Sequence, residues 1–486
     1  MKRSQICALL TIPSILLFAS VGRGAAITAT SSGSWGDANI WDTGTVPEKS
    51  DVVFIGPGVN VTVDTNASAQ SISDDTTGGT VTMAANSTLT IFGNDATHQL
   101  TSLDATAVGN TVIYAVNPFY ARQCNYYNLV FVDTNYVSQI PPYTSPWEFF
   151  NNFSSAAGPT PMTIAGNMTL MGTVEVQQGS GGAPVTIGGN LIIGPGCAWD
   201  CSGDVLTVVS NVYVYGLLED LNGALGTNYI GGNLIVAGPS TSVLTWSNSV
   251  SSMGVYTNGW YVSDVITWGI GGNLTNNGSI FGAGHGSISF EGTGVITGTN
   301  SLTIPTITVD GTYTIGTTIT LTTNRPTLNG TLVFDLANPK QIILPAFVGM
   351  ALHYDGTLNV INSGAPPVTG ASYQLFNAPS YDGSFASTSF PSLPSGLSWL
   401  DNTLSTGSID VTGVSVGSPI LSLSRNGGLL TLSWDSSTFP GYSVQAQTNR
   451  AGIGSNWSGT GSGTFSPFTI GLNPTNPPVF FRLSNP

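Results

Sequence analysis

The chain has 486 residues, among them Gly 61 and Pro 28, and only 7% of it is charged, against roughly 25% in an ordinary soluble domain. Ten Lys/Arg face 25 Asp/Glu for a formal net charge of −15, which excludes the basic stripe a nucleic-acid binder needs and makes an anionic membrane surface a poor partner. The 41% apolar content supplies a large core, and Ala/Glu/Lys/Arg/Leu-rich stretches are absent, so composition points to an all-β extracellular protein.

In chain order, residues 1–26 predict a secretory signal peptide. Lys2 and Arg3 give a positive start, Ile6 to Ala19 an apolar run, and Gly24 and Ala26 the small residues before a cleavage site. The run is shorter than the roughly 20 residues that span a bilayer. An exported chain without a membrane span in its mature part is therefore expected, extracellular or on the outer cell surface. Residues 27–110 alternate β-branched runs with Gly, Pro, Asn and Asp turn signals, as in Val52-Val53-Phe54-Ile55 and Val61-Thr62-Val63-Asp64. Residues 111–160 are less regular and rich in aromatics. They predict a protruding loop or a short embedded helix over Pro146 to Phe153.

From 161 to 335 a repeat sets in. Ile187-Gly188-Gly189-Asn190-Leu191 recurs at Ile230 and at Ile270, with a looser copy at Ile164. These copies read as one, two and two units of about 20–23 residues apart, a period that marks a solenoid. Each unit holds two or three short strands, with the Ile and Leu turned inward onto their copies in the next coil. Gly is expected at the corner for its access to φ > 0, and Asn for a hydrogen-bonded ladder. A row of β-sandwiches is the competing reading; the near-identical Gly-Gly-Asn corner favours the solenoid. The expected fold is thus a right-handed parallel β-helix, closed by residues 336–415. A small antiparallel β-sandwich over 417–486 follows and suits a cap on the open strand edges of the stack.

The opening Trp35 … Trp41 … Val46-Pro47 … Asp51-Val52 … Asp64 resembles the entry coils of bacterial autotransporter-associated β-strand proteins, and the start of a G8 domain. The Gly-Gly-Asn-Leu coils resemble the repeats of the same secreted β-helix proteins. Leu432-Ser433-Trp434 … Asn456-Trp457 … Phe480-Phe481-Arg482-Leu483 is similar to a C-terminal fibronectin-III-like module of secreted bacterial proteins. The resemblance implies an exported, surface-associated protein. Self-translocation is not implied, because the tail is too short for a membrane β-barrel.

Chemistry-bearing residues are sparse. Gly284-His285-Gly286 matches a triplet of polygalacturonase-like hydrolases, and Glu291 is the nearest acid. One carboxylate does not make the pair that glycoside hydrolysis uses, so His285 and Glu291 are weak catalytic candidates for a polysaccharide hydrolase or lyase. Cys197 and Cys201 are close enough in sequence for a local disulfide, or else are buried thiols. The three histidines have no ligand spacing, so no metal or cofactor is expected. Trp246, Tyr256, Trp260, Tyr261 and Trp268 form the one constellation suited to stacking on sugars; packing in the core is the alternative. The reading is an exported, non-enzymatic structural or adhesive protein whose partner is an extracellular or cell-wall polysaccharide or another surface protein. The alternative is a polysaccharide-binding or -degrading β-helix.

Overall fold

The computed structural model describes residues 24–74, 78–93, 100, 102–115, 124–133, 148–149, 161–172, 174–178, 184–201, 205–220, 227–237, 243–246, 267–282, 286–316, 319–337, 342–343, 351–413, 419–437, 439–448, 452–460, 466–473 and 477–484. Residues 1–361, 374–389 and 404–407 make one compact unit, and residues 362–373, 390–403 and 408–486 a second. The chain therefore leaves the first unit and re-enters it twice near its end, so the stretch expected to close the β-helix, 336–415, is shared between the two units.

The first unit is a parallel β-solenoid of about ten turns. A typical coil runs through Leu206–Val208, a corner, Val212–Val214, a bend, and Leu217–Asp220 before returning at Thr227–Ile230. Every second strand residue points inward, as period-two strands require. The inward residues line up from coil to coil. Ile164, Ile187, Val208, Ile230, Ile270, Phe290, Val309 and Leu328 form one column of directly paired residues. Leu129, Met168, Leu191, Val212, Leu234, Leu274, Ile296, Ile315, Phe334 and Val360 form a second. All are buried. Each contributes about 1.5–3 kcal/mol by leaving water, and none finds cover within its own coil, so stability is a sum over neighbours.

The second column belongs to a 14-stranded sheet that starts at Asn66–Ala69 and ends at Ser387–Ser389. At the start of the stack Trp35 and Trp41 pack edge to face with centroids 5.1 Å apart. The Trp41 indole donates to the Trp35 carbonyl at 2.9 Å. Further along, Leu302–Val309 spans two faces at once, pairing through Thr303 with Phe281 and through Thr306 with Ser287.

Three expectations need correction. Ile187 and Ile230 are indeed two coils apart, with Val208 between them. Ile230, however, pairs directly with Ile270, so that interval is a single coil whose extra residues fall between Val243–Trp246 and Thr267–Ile270. The helix expected over Pro146 to Phe153 is contradicted at its centre, where Glu148–Phe149 is a strand paired with Gln177 and Gln178; the remainder lies outside the described residues. Finally, the corner glycines are not among the residues of positive φ. They are glycines because a Cβ at Gly232 would lie 2.5 Å from the Ser210 carbonyl oxygen, and one at Gly272 2.6 Å from that of Gly232.

In the second unit Leu397–Asn402 pairs antiparallel with Ser408–Gly413. Two further three-stranded antiparallel sheets follow. One joins Ser422–Asn426, Leu429–Ser433 and Phe468–Gly471; the other joins Ser458–Gly459, Ser443–Thr448 and Val479–Ser484. Leu432, Trp434 and Val444 are the core between them, with Leu421, Tyr442, Phe468, Phe481 and Leu483 packed around.

Candidate functional site

The corner between the first and second strands of the earlier coils carries an ordered polar array. Asn128, Asn167, Asn190, Asn211, Asn233 and Asn273 stack there. Each Oδ1 accepts the backbone N–H of the next asparagine at 2.8–3.1 Å, and the Nδ2 groups of Asn211 and Asn233 donate up the column at 2.9 Å. The ladder expected from the Gly-Gly-Asn repeat is present, with Asn211 as a rung that the sequence reading passed over. It was hidden because its corner reads Val209-Ser210-Asn211 in place of Gly-Gly-Asn.

The ladder ends where Asn273 Oδ1 accepts from Val295 N. From that coil the corner reads Glu291-Gly292-Thr293, then Asp310-Gly311-Thr312, Asn329-Gly330-Thr331 and Asp355-Gly356-Thr357. The pairing Phe290 with Val309 puts Glu291 and Asp310 at equivalent places on adjacent coils, with backbones roughly 4.8 Å apart as neighbouring strands are. Both side chains are exposed. Asp310 is oriented: its Oδ1 accepts from Asn329 Nδ2 at 2.8 Å and its Oδ2 from Ser289 Oγ at 3.5 Å. Glu291 lies over the backbone of Gly269, where a Cβ would sit 2.9 Å from its Oε1 and 3.0 Å from the Tyr229 ring. Glycine at 269 thus opens a shallow floor between a tyrosine ring and a carboxylate. Paired carboxylates are the residue types that glycoside hydrolysis uses. Sequence reading missed Asp310 because it is far from Glu291 in the chain; the recurrent acid/amide-Gly-Thr triplet was the signal that pairs them.

The aromatic constellation does not assemble as a recognition face at the one ring that can be judged. Trp268 is 0% exposed, part of the solenoid interior, because its strand, Thr267–Ile270, turns that residue toward the core. Trp246 closes the strand Val243–Trp246. Tyr256, Trp260, Tyr261 and His285 lie outside the described residues. Cys197 and Cys201 are buried thiols and form no disulfide. The three residues between them, Ala198–Asp200, are a strand, which holds the two Cα atoms roughly 13 Å apart, beyond the ~7 Å a disulfide spans. Burial pushes the Cys197 thiol up to about 11. Among the described residues no group of three His, Cys, Asp or Glu is placed to hold a metal ion, and no helix is long and apolar enough to cross a membrane.

Comparison with known families, with curated proteins and with solved structures finds no match to this chain.

Proposed function

We propose that the chain is an exported, non-enzymatic β-solenoid with a structural or adhesive role at the cell surface or outside the cell. The observation that carries this reading is the repetition of uncharged polar groups along the outside of the stack. On the second strand face Thr293, Thr312, Thr331, Thr357 and Ser387 are paired in one column, and Thr357 and Ser387 hydroxyls lie 3.1 Å apart. A surface that offers the same donors and acceptors once per coil binds an extended or repetitive partner through many weak contacts at once, with avidity far above that of a single contact. The resemblance of the Trp35 to Asp64 segment to autotransporter-associated entry coils, and the signal-like first 26 residues, support the location. The test is co-sedimentation of the purified secreted chain with cell-envelope and extracellular material. Retention on that material is expected; a chain left wholly in the supernatant would sink the reading.

A second reading, polysaccharide cleavage, is favoured by one observation, the Glu291–Asp310 pair on adjacent coils. It predicts release of reducing ends from soluble polysaccharides, abolished by Glu291→Gln with the fold unchanged by circular dichroism. No product from any polysaccharide class, with the chain folded, removes it.

A further inference from the structure

The second unit differs in charge from the first. It carries Arg425, Arg450 and Arg482 against Asp401, Asp410 and Asp435, so the whole formal charge of −15 falls on the first unit. Its three aspartates are engaged in local hydrogen bonds with Thr403, with Asn402 and with Ser437. Arg482 is placed differently. Phe481 and Leu483 on the same strand pack into the core, so Phe480, Arg482 and Ser484 face outward, opposite Gln447, Gln445 and Ser443 of the neighbouring strand. Arg482 Nε and Nη2 both donate to Gln445 Oε1, at 2.9 and 2.7 Å. The guanidinium lies over the Trp457 ring, 4.5 Å from its centroid.

Arg482 is therefore a held cation with no acidic partner among the described residues. Gln445 occupies one edge of the guanidinium fork. The edge formed by Nη1 and the second Nη2 hydrogen is left open, and that edge presents two parallel donors to a carboxylate. The aromatic contact and the amide have already restricted the side chain, so little conformational entropy remains to be lost on binding. Around it the outer face supplies a half-buried phenyl ring at Phe480, the Trp457 ring, the Gln445 amide and the hydroxyls of Ser443 and Ser484.

We propose that this face of the second unit binds an anionic polysaccharide through its uronate carboxylates. Arg482 takes a carboxylate end-on, the two rings meet the C–H faces of the sugar, and the amide and hydroxyls meet its hydroxyl groups. Charge selects the place: a polyanion is repelled by the acidic solenoid and not by the neutral second unit. The site extends the adhesive reading, which rests on the solenoid's columns, by naming a separate point of attachment and the chemistry of what it holds.

The test is native gel electrophoresis of the full secreted chain through matrices containing polygalacturonate, fully methyl-esterified polygalacturonate or dextran. Retardation is expected in the first alone and is weakened by salt. Arg482→Gln is expected to weaken binding about 10–100-fold, the loss of a charge-assisted bidentate contact, with Arg482→Lys recovering part of it and unfolding temperatures unchanged. Equal retardation of wild type and Arg482→Gln, or none in polygalacturonate, overturns the proposal. So does a concentration-dependent self-association of the wild type that Arg482→Gln abolishes, which would assign the open edge to a carboxylate of a second copy. An Arg482→Gln chain that no longer binds polygalacturonate yet still co-sediments with envelope material separates this site from the solenoid's own adhesion.

Discussion

The coils before Phe290 and the coils after it build the same corner from different chemistry. Before it, three residues turn the chain: Gly271-Gly272-Asn273 lies between Ile270 and Leu274, and the asparagine passes a hydrogen bond to the next coil. After it, five residues lie between Phe290 and Ile296, and the longer strand adds an inward position filled successively by Tyr313, Leu332 and Leu358. The corner lengthens, and among the described residues the amide ladder gives way to acids and an Asn329-to-Asp310 contact. What both halves keep is glycine pressed against the carbonyl of the coil before. The backbone spacing is thus the constant of the fold, and the side-chain ladder is one of several ways to satisfy the polar groups that spacing exposes.

The comparison breaks first at the glycines. A Cβ on Gly311 would fall 1.9 Å from the Gly292 carbonyl oxygen, whereas one on Gly189 would fall 2.5 Å from that of Gly166. Gly311→Val is expected to destabilise the later coils by about 3 kcal/mol, and Gly189→Ala the earlier ones by about 1–2 kcal/mol. Hydrogen exchange read coil by coil is the measurement, since a stack of repeats need not unfold in one step. Equal protection in the two variants would mean that the corner spacing does not set the limit. Val209 and Ser210 occupy the same corner one coil before Gly231 and Gly232, with Val209 turned 56% outward, so a side chain is tolerated where the local backbone aims it away.

The next break concerns the ladders. Asn211→Ala removes the donor to Asn190 and the acceptor for both the N–H and the Nδ2 of Asn233. A cost of about 2–3 kcal/mol is expected for three half-buried hydrogen bonds. Asn329→Ala removes one exposed contact and is expected to cost at most about 1 kcal/mol. Denaturant unfolding of the two variants side by side decides it, and a larger loss at Asn329 would reverse the ranking of the two corners.

How much of this was legible beforehand follows from what period and composition can report. The columns through Ile187 and Leu191 were readable because inward residues must recur once per coil, and Asn190 because its motif recurs nearly letter for letter. Asn211 was not, since a ladder rung needs only the asparagine and its neighbours are free to vary. The interval from Ile230 to Ile270 misled because residues added between Val243–Trp246 and Thr267–Ile270 add length without adding a coil, and length alone cannot distinguish the two. The Glu291–Asp310 pair was invisible to a search for adjacent acids, because a solenoid makes neighbours of residues one period apart. Trp268 was left open between ligand stacking and core packing because an aromatic that stacks on a ligand and one that fills a core look alike until the strand's facing is known.

An effect smaller than that at Asn211 sits at the seam itself. Tyr313 is fully buried, and its hydroxyl donates to the carbonyls of Ile270 at 2.7 Å and Gly272 at 3.0 Å. It therefore reaches from the later coils back to the last Gly-Gly-Asn corner. Tyr313→Phe deletes that tie and keeps the ring, for an expected loss of about 1–2 kcal/mol. Ile270's carbonyl also accepts from Glu291 N at 3.0 Å, which keeps the loss at the low end. Burial is the main cause that pushes the Tyr313 phenol up to about 12, with the nearby Tyr229 and Glu291 adding to it and a hydrogen bond with the Gly292 backbone opposing it. The unfolded phenol ionises near 10, so the folded chain holds this proton more tightly. Its contribution to stability is complete below pH ~10 and is lost as pH rises toward 12. The phenylalanine variant lacks that group. Its stability relative to the wild type should improve steadily between pH ~10 and ~12, and a constant gap across that window would show that the phenol is not the group bridging the two kinds of corner.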